Sequence, residues 1–208
     1  TRRVVGCDAA AGGAAGGIVL CVLQLALRAG TNPALLVAAL RARHLGARLF
    51  VVLVLHCATA RHGAFELECA RDVAEDLGAS RLCAGTGADA AEGGGAAVEV
   101  VALVGRDAIA QRLGALAREA ALVVCDDVAV DPFRAVVAEH LAPHARTLEA
   151  VDAACIVTFR CAEAARSCSR AYAFRAATAK IRDAALDGGR ITADLEALNE
   201  ALFEPPAE

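Results

Sequence analysis

The sequence predicts a single Rossmann-like α/β domain, a five-stranded, mostly parallel sheet with helices on both faces. Three observations lead there. Residues 120–125 form a short apolar run rich in Val that stops abruptly at Asp126 and Asp127. Runs of the same character occupy residues 49–55 and 98–104. Stretches with helical periodicity separate them. Continuous apolar runs bounded by charge are the mark of strands buried on both faces, and strands that alternate with helices build parallel sheets.

Taken in order, residues 1–17 end in Gly12-Gly13-Ala14-Ala15-Gly16-Gly17 and are expected to be a flexible leader. A dinucleotide loop follows its strand, whereas these glycines precede the first one, so the segment is not a phosphate-binding loop. Residues 18–23 are the first strand. Thr31 or Asn32 then caps a helix with Pro33 in its first turn, Leu35, Leu36, Ala39 and Leu40 on its apolar face, and Gly46 at its end. Residues 49–55 are the second strand. The helix at 62–77 is expected to bury Phe65, Cys69, Ala70, Val73, Ala74 and Leu77, with Glu66, Glu68, Arg71 and Asp72 outward. Glycine-rich residues 80–97 are expected to be an inserted surface loop. The third strand (98–104), a helix (107–119), the central strand, a helix (131–141) and a last strand within 146–159 follow. Helices at 169–186 and 192–203 complete the chain. The expected division is a leader (1–17), the α/β domain (18–186), and a C-terminal helix and tail (187–208).

Composition narrows the function. The 208 residues suffice for one well-buried domain. A net charge of −4 leaves no global basic footprint, so nucleic acid is not an expected partner. The apolar runs fall well short of the ~20 residues that span a bilayer, leaving peripheral contact with a membrane complex as the expected limit. Of 21 basic residues only Lys180 is a lysine, a bias of coding composition rather than chemistry. Nine cysteines lie scattered with no C-x-x-C spacing, which predicts a reducing compartment rather than a disulfide scaffold. The absence of Met and the start at Thr1-Arg2-Arg3 predict a processed or trimmed chain, for which removal of an organelle-targeting segment is one natural cause. A plastid is the expected location, with mitochondrion or cytosol also consistent.

Four segments then carry a resemblance. Asn32-Pro33-Ala34-Leu35-Leu36, between the first two strands, and Arg61-His62-Gly63-Ala64-Phe65-Glu66-Leu67, after the second, resemble the amino-terminal, antenna-binding α/β domain of the photolyase/cryptochrome family, most closely that of class II cyclobutane-pyrimidine-dimer photolyases. Val151-Asp152-Ala153-Ala154-Cys155-Ile156-Val157 is similar to that family's Val-Asp-x-x-x-Ile-Val segment. Tyr172-Ala173-Phe174-Arg175 with Lys180-Ile181 resembles its Tyr-x-x-Arg…Lys-Ile. The resemblance covers residues 18–185 and implies the same α/β fold. It also marks departures. The family's chemistry belongs to a following helical domain that carries FAD, whereas this sequence ends at Glu208 and has no Trp. Of the family's Arg-x-x-Arg element, Leu25 replaces the first arginine and Arg28 remains. FAD is therefore not an expected cofactor, and DNA repair by this chain alone is not expected. An antenna chromophore is the one cofactor the resemblance leaves open.

Candidate sites follow from position. Asp126 and Asp127 end the central strand at its carboxyl end, where open α/β sheets place ligands; ribose or metal binding competes with simple capping of the following turn. His62, with Arg61, follows the second strand at its carboxyl end, in contact with a ligand or in a structural role at the helix start. His56 and His62 lack a third partner at metal-binding spacing. Gly105 and Arg106 open a helix after the third strand, a place for an anion, although no G-x-x-x-x-G-K-[ST] motif occurs. Arg160, Arg166, Arg170, Arg175 and Arg182 make the carboxyl-side region basic, either a docking face for an acidic partner or ordinary solvated charge. No catalytic triad or nucleophile elbow is visible. The function expected first is a non-catalytic accessory subunit bound to other proteins of a larger assembly. A small-ligand module for a nucleotide or antenna chromophore is the second reading, and an amino-terminal fragment of a DNA photolyase the third.

Overall fold

The computed structural model describes residues 2–6, 17–78, 98–128, 130–152 and 170–187. Its strands are β1 (Arg2–Gly6), β2 (Ile18–Leu23), β3 (Arg48–Leu55), β4 (Val98–Val104), β5 (Leu122–Asp126) and β6 (Thr147–Val151). The helices are α1 (Pro33–Leu45), α2 (Ala60–Gly78), α3 (Arg106–Glu119), α4 (Phe133–Val136), which runs on into a π-helical turn at Val137–Leu141, and α5 (Ala171–Asp187). The strands lie in the order β1-β6-β5-β2-β3-β4. β2 to β6 are parallel to one another, and β1 runs antiparallel along β6.

This is the α/β sheet that the alternation of elements predicts, with one strand added. The leader expected over residues 1–17 contains β1, whose register shifts between Arg3 and Val5. The expected loop at 80–97, the helix at 192–203 and most of the last strand region beyond Asp152 lie outside the described residues.

The central strands β2, β3 and β5 are buried on both faces because they carry apolar side chains at nearly every position. Val19, Cys21 and Leu23 of β2 and Leu49, Val51 and Leu53 of β3 pack with Leu35 and Leu36 of α1 and Val73 and Leu77 of α2. The alternate residues Leu20, Val22, Val52 and Val54 face Ile109, Leu113 and Ala117 of α3, together with Leu141. The period of two along each strand sorts the side chains between the layers. Each apolar side chain fully buried in this way contributes roughly 1.5–3 kcal/mol. Cys21 and Cys125 sit inside β2 and β5 as small hydrophobes, their thiol pKa values pushed up by burial.

α1 begins and ends as its sequence dictates. Asn32 Oδ1 accepts from the backbone N–H groups of Ala34 (3.0 Å) and Leu35 (3.2 Å), and Gly46 closes the helix in the left-handed region at φ 59°. Its buried face includes Ala38 and Ala42, while Leu40 is exposed at the rim. α2 departs from expectation. Its buried residues are Gly63, Glu66, Ala70, Val73 and Leu77, an i, i+3, i+4 series that starts at a glycine and passes through a carboxylate. Phe65, expected inside, is 62% exposed, and Glu66, expected outside, is 4% exposed. Ala74 is also exposed.

α3 approaches the chain after the π turn so closely that a Cβ on Gly114 would lie 2.6 Å from His144 Cδ2. Gly114→Ala is expected to cost about 1–2 kcal/mol in urea unfolding through this overlap. In a His144→Ala background the same change is expected to stabilise by up to about 1 kcal/mol, because alanine is the better helix former.

Candidate functional site

Chain order and spatial order together define a crevice. From β2 the chain steps to β3 and β4 on one side, then crosses to β5 and β6 on the other. The direction reverses between β2 and β5, and open α/β sheets bind ligands beyond the carboxyl ends of the strands at such a point. Asp126 ends β5 there, and Gln24 follows β2.

Asp126 is 2% exposed. Its Oδ2 accepts from the backbone N–H groups of Gln24 (2.8 Å) and Leu25 (3.0 Å), so this carboxylate holds the turn leaving β2 rather than the turn that follows it. Its Oδ1 is buried and has no hydrogen-bond partner. Burial raises the Asp126 pKa, while the donated N–H bonds and the nearby Arg28 charge oppose that rise. Gln24 is also 2% exposed, and neither Nε2 nor Oε1 of its side chain has a partner. Asn32 fixes the far end of the same loop, donating from Nδ2 to the carbonyls of Ala26 (2.7 Å) and Arg28 (3.2 Å).

Glu66 organises the end of β3 in the same manner. Its Oε2 accepts from the Cys57 N–H at 2.7 Å and its Oε1 from the His56 N–H at 3.3 Å, with His62 Nδ1 3.6 Å from Oε1. Cys57 stands at φ 49°, outside the usual range for a side-chain-bearing residue, and a Cβ on Gly63 would lie 3.2 Å from its Sγ. His56 stacks edge-on against Phe133, with ring centroids 4.8 Å apart. Its Nε2 is buried without a partner, and burial lowers its pKa despite the Glu66 charge, keeping the ring neutral at neutral pH. His56 follows β3 and Phe133 follows β5, so the pair joins segments from the two strands that flank β2.

Two clefts lie at this edge. A cleft of 250 Å³ is lined by Gln24, Leu25, Arg28, His62, Phe65 and Glu66, among others, with Phe133. A larger cleft of 460 Å³ contains His56, Arg106 and His140. The sequence candidates are thus divided. His62 joins Gln24 in the first cleft. Gly105, at φ 83°, precedes α3, and Arg106 opens it beside the second. Asp127 lines neither; its N–H donates to the Val151 carbonyl at 2.8 Å and extends the pairing of β5 with β6. Leu25 and Arg28, the two positions of the partly kept Arg-x-x-Arg element, both line the first cleft.

Gln24, Glu66 and the His56–Phe133 pair were not among the candidates read from sequence. For Gln24 a signal existed: a polar residue directly after the first buried strand, at the end where ligands bind. Glu66 gave none, since a glutamate in a helix is ordinarily solvated.

Among the described residues no three or more His, Cys, Asp or Glu side chains come together to hold a metal ion. No helix among them is long and apolar enough to cross a membrane. These features define the class, a doubly wound α/β domain with a switch-point crevice that contains buried, unpaired polar groups. No family model and no curated protein matches the chain.

Proposed function

We propose that this chain is a small-ligand binding module built on a photolyase-type α/β domain, acting by binding rather than by catalysis. The observation that carries the reading is the set of buried polar atoms without partners at the switch point: both polar atoms of the Gln24 side chain and Oδ1 of Asp126. Buried polar groups are nearly always paired, and each left unpaired costs about 1–3 kcal/mol. Asp126 lines neither cleft, but Gln24 lines the smaller one, and a ligand toward which its carboxamide turns recovers the Gln24 share of that cost on binding. The Gln24 carboxamide offers one donor and one acceptor side by side, complementary to the edge of a nucleobase or of a fused heteroaromatic chromophore. Leu25, Phe65 and Phe133 supply apolar walls for such a ring.

Titration calorimetry with adenosine, a pterin and riboflavin tests this. At least one is expected to bind, and Gln24→Leu, which removes both hydrogen-bonding atoms at similar volume, is expected to weaken it by about 10-fold or more. Binding unchanged by Gln24→Leu removes the reading.

A second reading, an accessory subunit of a larger assembly, is favoured by a separate observation. Leu25 and Phe65, both lining the smaller cleft, are large apolar side chains left exposed there. Sizing of gently isolated material distinguishes the two, because a subunit travels in a complex and a solitary module does not.

A further inference from the structure

The larger cleft differs in chemistry from the crevice at Gln24. Its 460 Å³ falls within the range of small-molecule sites. One guanidinium and two imidazoles reach it from three parts of the chain: His56 after β3, Arg106 in the first turn of α3, and His140 in the π turn. None of the three forms an ion pair among the described residues. The Nε2 of His56 is buried and unpaired as well.

α3 adds to this set. Its N-cap is Gly105, and no side chain caps the first turn. The helix is 14 residues long, so its amino end carries a partial positive charge along with free N–H donors, partly offset by Asp107 in the first turn. Glu139, next to His140 in the π turn, lines the same cleft, and Ile109, Pro132 and Val136 add apolar lining. A guanidinium, imidazoles and a carboxylate lining one cleft suit a ligand that carries both an anionic group and hydroxyl donors.

We propose that this cleft binds a phosphate monoester of a small hydroxylated molecule, in the chemical class of the sugar phosphates. The phosphate meets Arg106, His140 and the amino end of α3; hydroxyl groups donate to Glu139. The site stands apart from the Gln24 crevice, and neither depends on the other.

Calorimetric titration of the full chain with ribose 5-phosphate, inorganic phosphate and ribose tests the proposal. Ribose 5-phosphate is expected to bind, inorganic phosphate to bind more weakly, and ribose to give no measurable heat. Arg106→Gln is expected to weaken ribose 5-phosphate binding by about 10- to 100-fold, the range for loss of a charge-assisted hydrogen bond. His140→Gln is expected to weaken it less. Arg106 and His140 lie outside the core, and circular dichroism checks that each variant folds. Gln24→Leu is expected to leave this affinity unchanged, which separates the site from the crevice. No binding of ribose 5-phosphate, equal binding of ribose, or an affinity indifferent to both Arg106→Gln and His140→Gln would overturn the proposal.

Discussion

Replacing Asp126 with alanine is expected to lower the unfolding free energy by about 2–5 kcal/mol, because it strands two backbone donors in the interior. The N–H groups of Gln24 and Leu25 have this carboxylate as their acceptor, 102 and 101 residues away in sequence. For a chain of this size the loss corresponds to a melting point roughly 5–15 °C lower. Asparagine is expected to behave quite differently. Its carbonyl oxygen keeps the acceptor role of Oδ2, its amide replaces the unpaired Oδ1, and no charge remains to be buried. Asp126→Asn is therefore expected to fall within about 1 kcal/mol of the parent at neutral pH. The pH dependence follows from the direction of the pKa shift. A carboxyl whose folded pKa is raised holds its proton more tightly in the native state than in the unfolded chain. Stability then falls as pH rises from the ordinary carboxylate value through the raised folded value, and levels off above it. Urea unfolding across that window is expected to show this slope in the parent and a flatter profile in Asp126→Asn.

Glu66→Ala is the second large effect, expected to cost about 2–4 kcal/mol. It strands the His56 and Cys57 N–H groups at a turn where Cys57 occupies a sparsely populated backbone region. Glu66→Gln keeps one good acceptor and is expected to cost about half as much. The functional consequence follows from the same geometry. The turn that Glu66 holds carries His56, which lines the larger cleft, and leads into the helix that places His62 and Phe65 in the smaller one. Ligand titration of Glu66→Gln is accordingly expected to show weaker binding at both clefts. Full affinity at both would mean that the turn keeps its shape without the carboxylate.

Much of the fold was legible because local chemistry and tertiary structure agree. The apolar runs became β2 to β5, and Asn32, Pro33 and Gly46 bounded α1 as their capping chemistry predicts. The departures have physical causes. β1 is five residues, two of them arginines, beside a glycine-rich stretch; its partner β6 lies more than a hundred residues away. α2 was mis-phased at its amino end because its buried stripe starts at Gly63, which has no side chain to show, and continues through Glu66, whose burial depends on donors from a preceding turn. The position of Asp126 was legible from the abrupt end of its strand, but its task was not. That task concerns the backbone of a loop a hundred residues earlier, which strand pairing alone brings into reach. Gln24 was legible in position, a polar residue directly after a buried strand, but its burial without a partner depends on the same long-range packing.

Native mass spectrometry of gently isolated protein, with an absorption spectrum of the same sample, tests the central claim most directly. A ligand-binding module is expected to carry one small molecule above the mass of the chain. That molecule should have a nucleotide or chromophore absorption band, and Gln24→Leu should release it. A chain that travels with other proteins but holds no small molecule would contradict the claim and turn the exposed edge at Leu25 and Phe65 into a protein-docking surface.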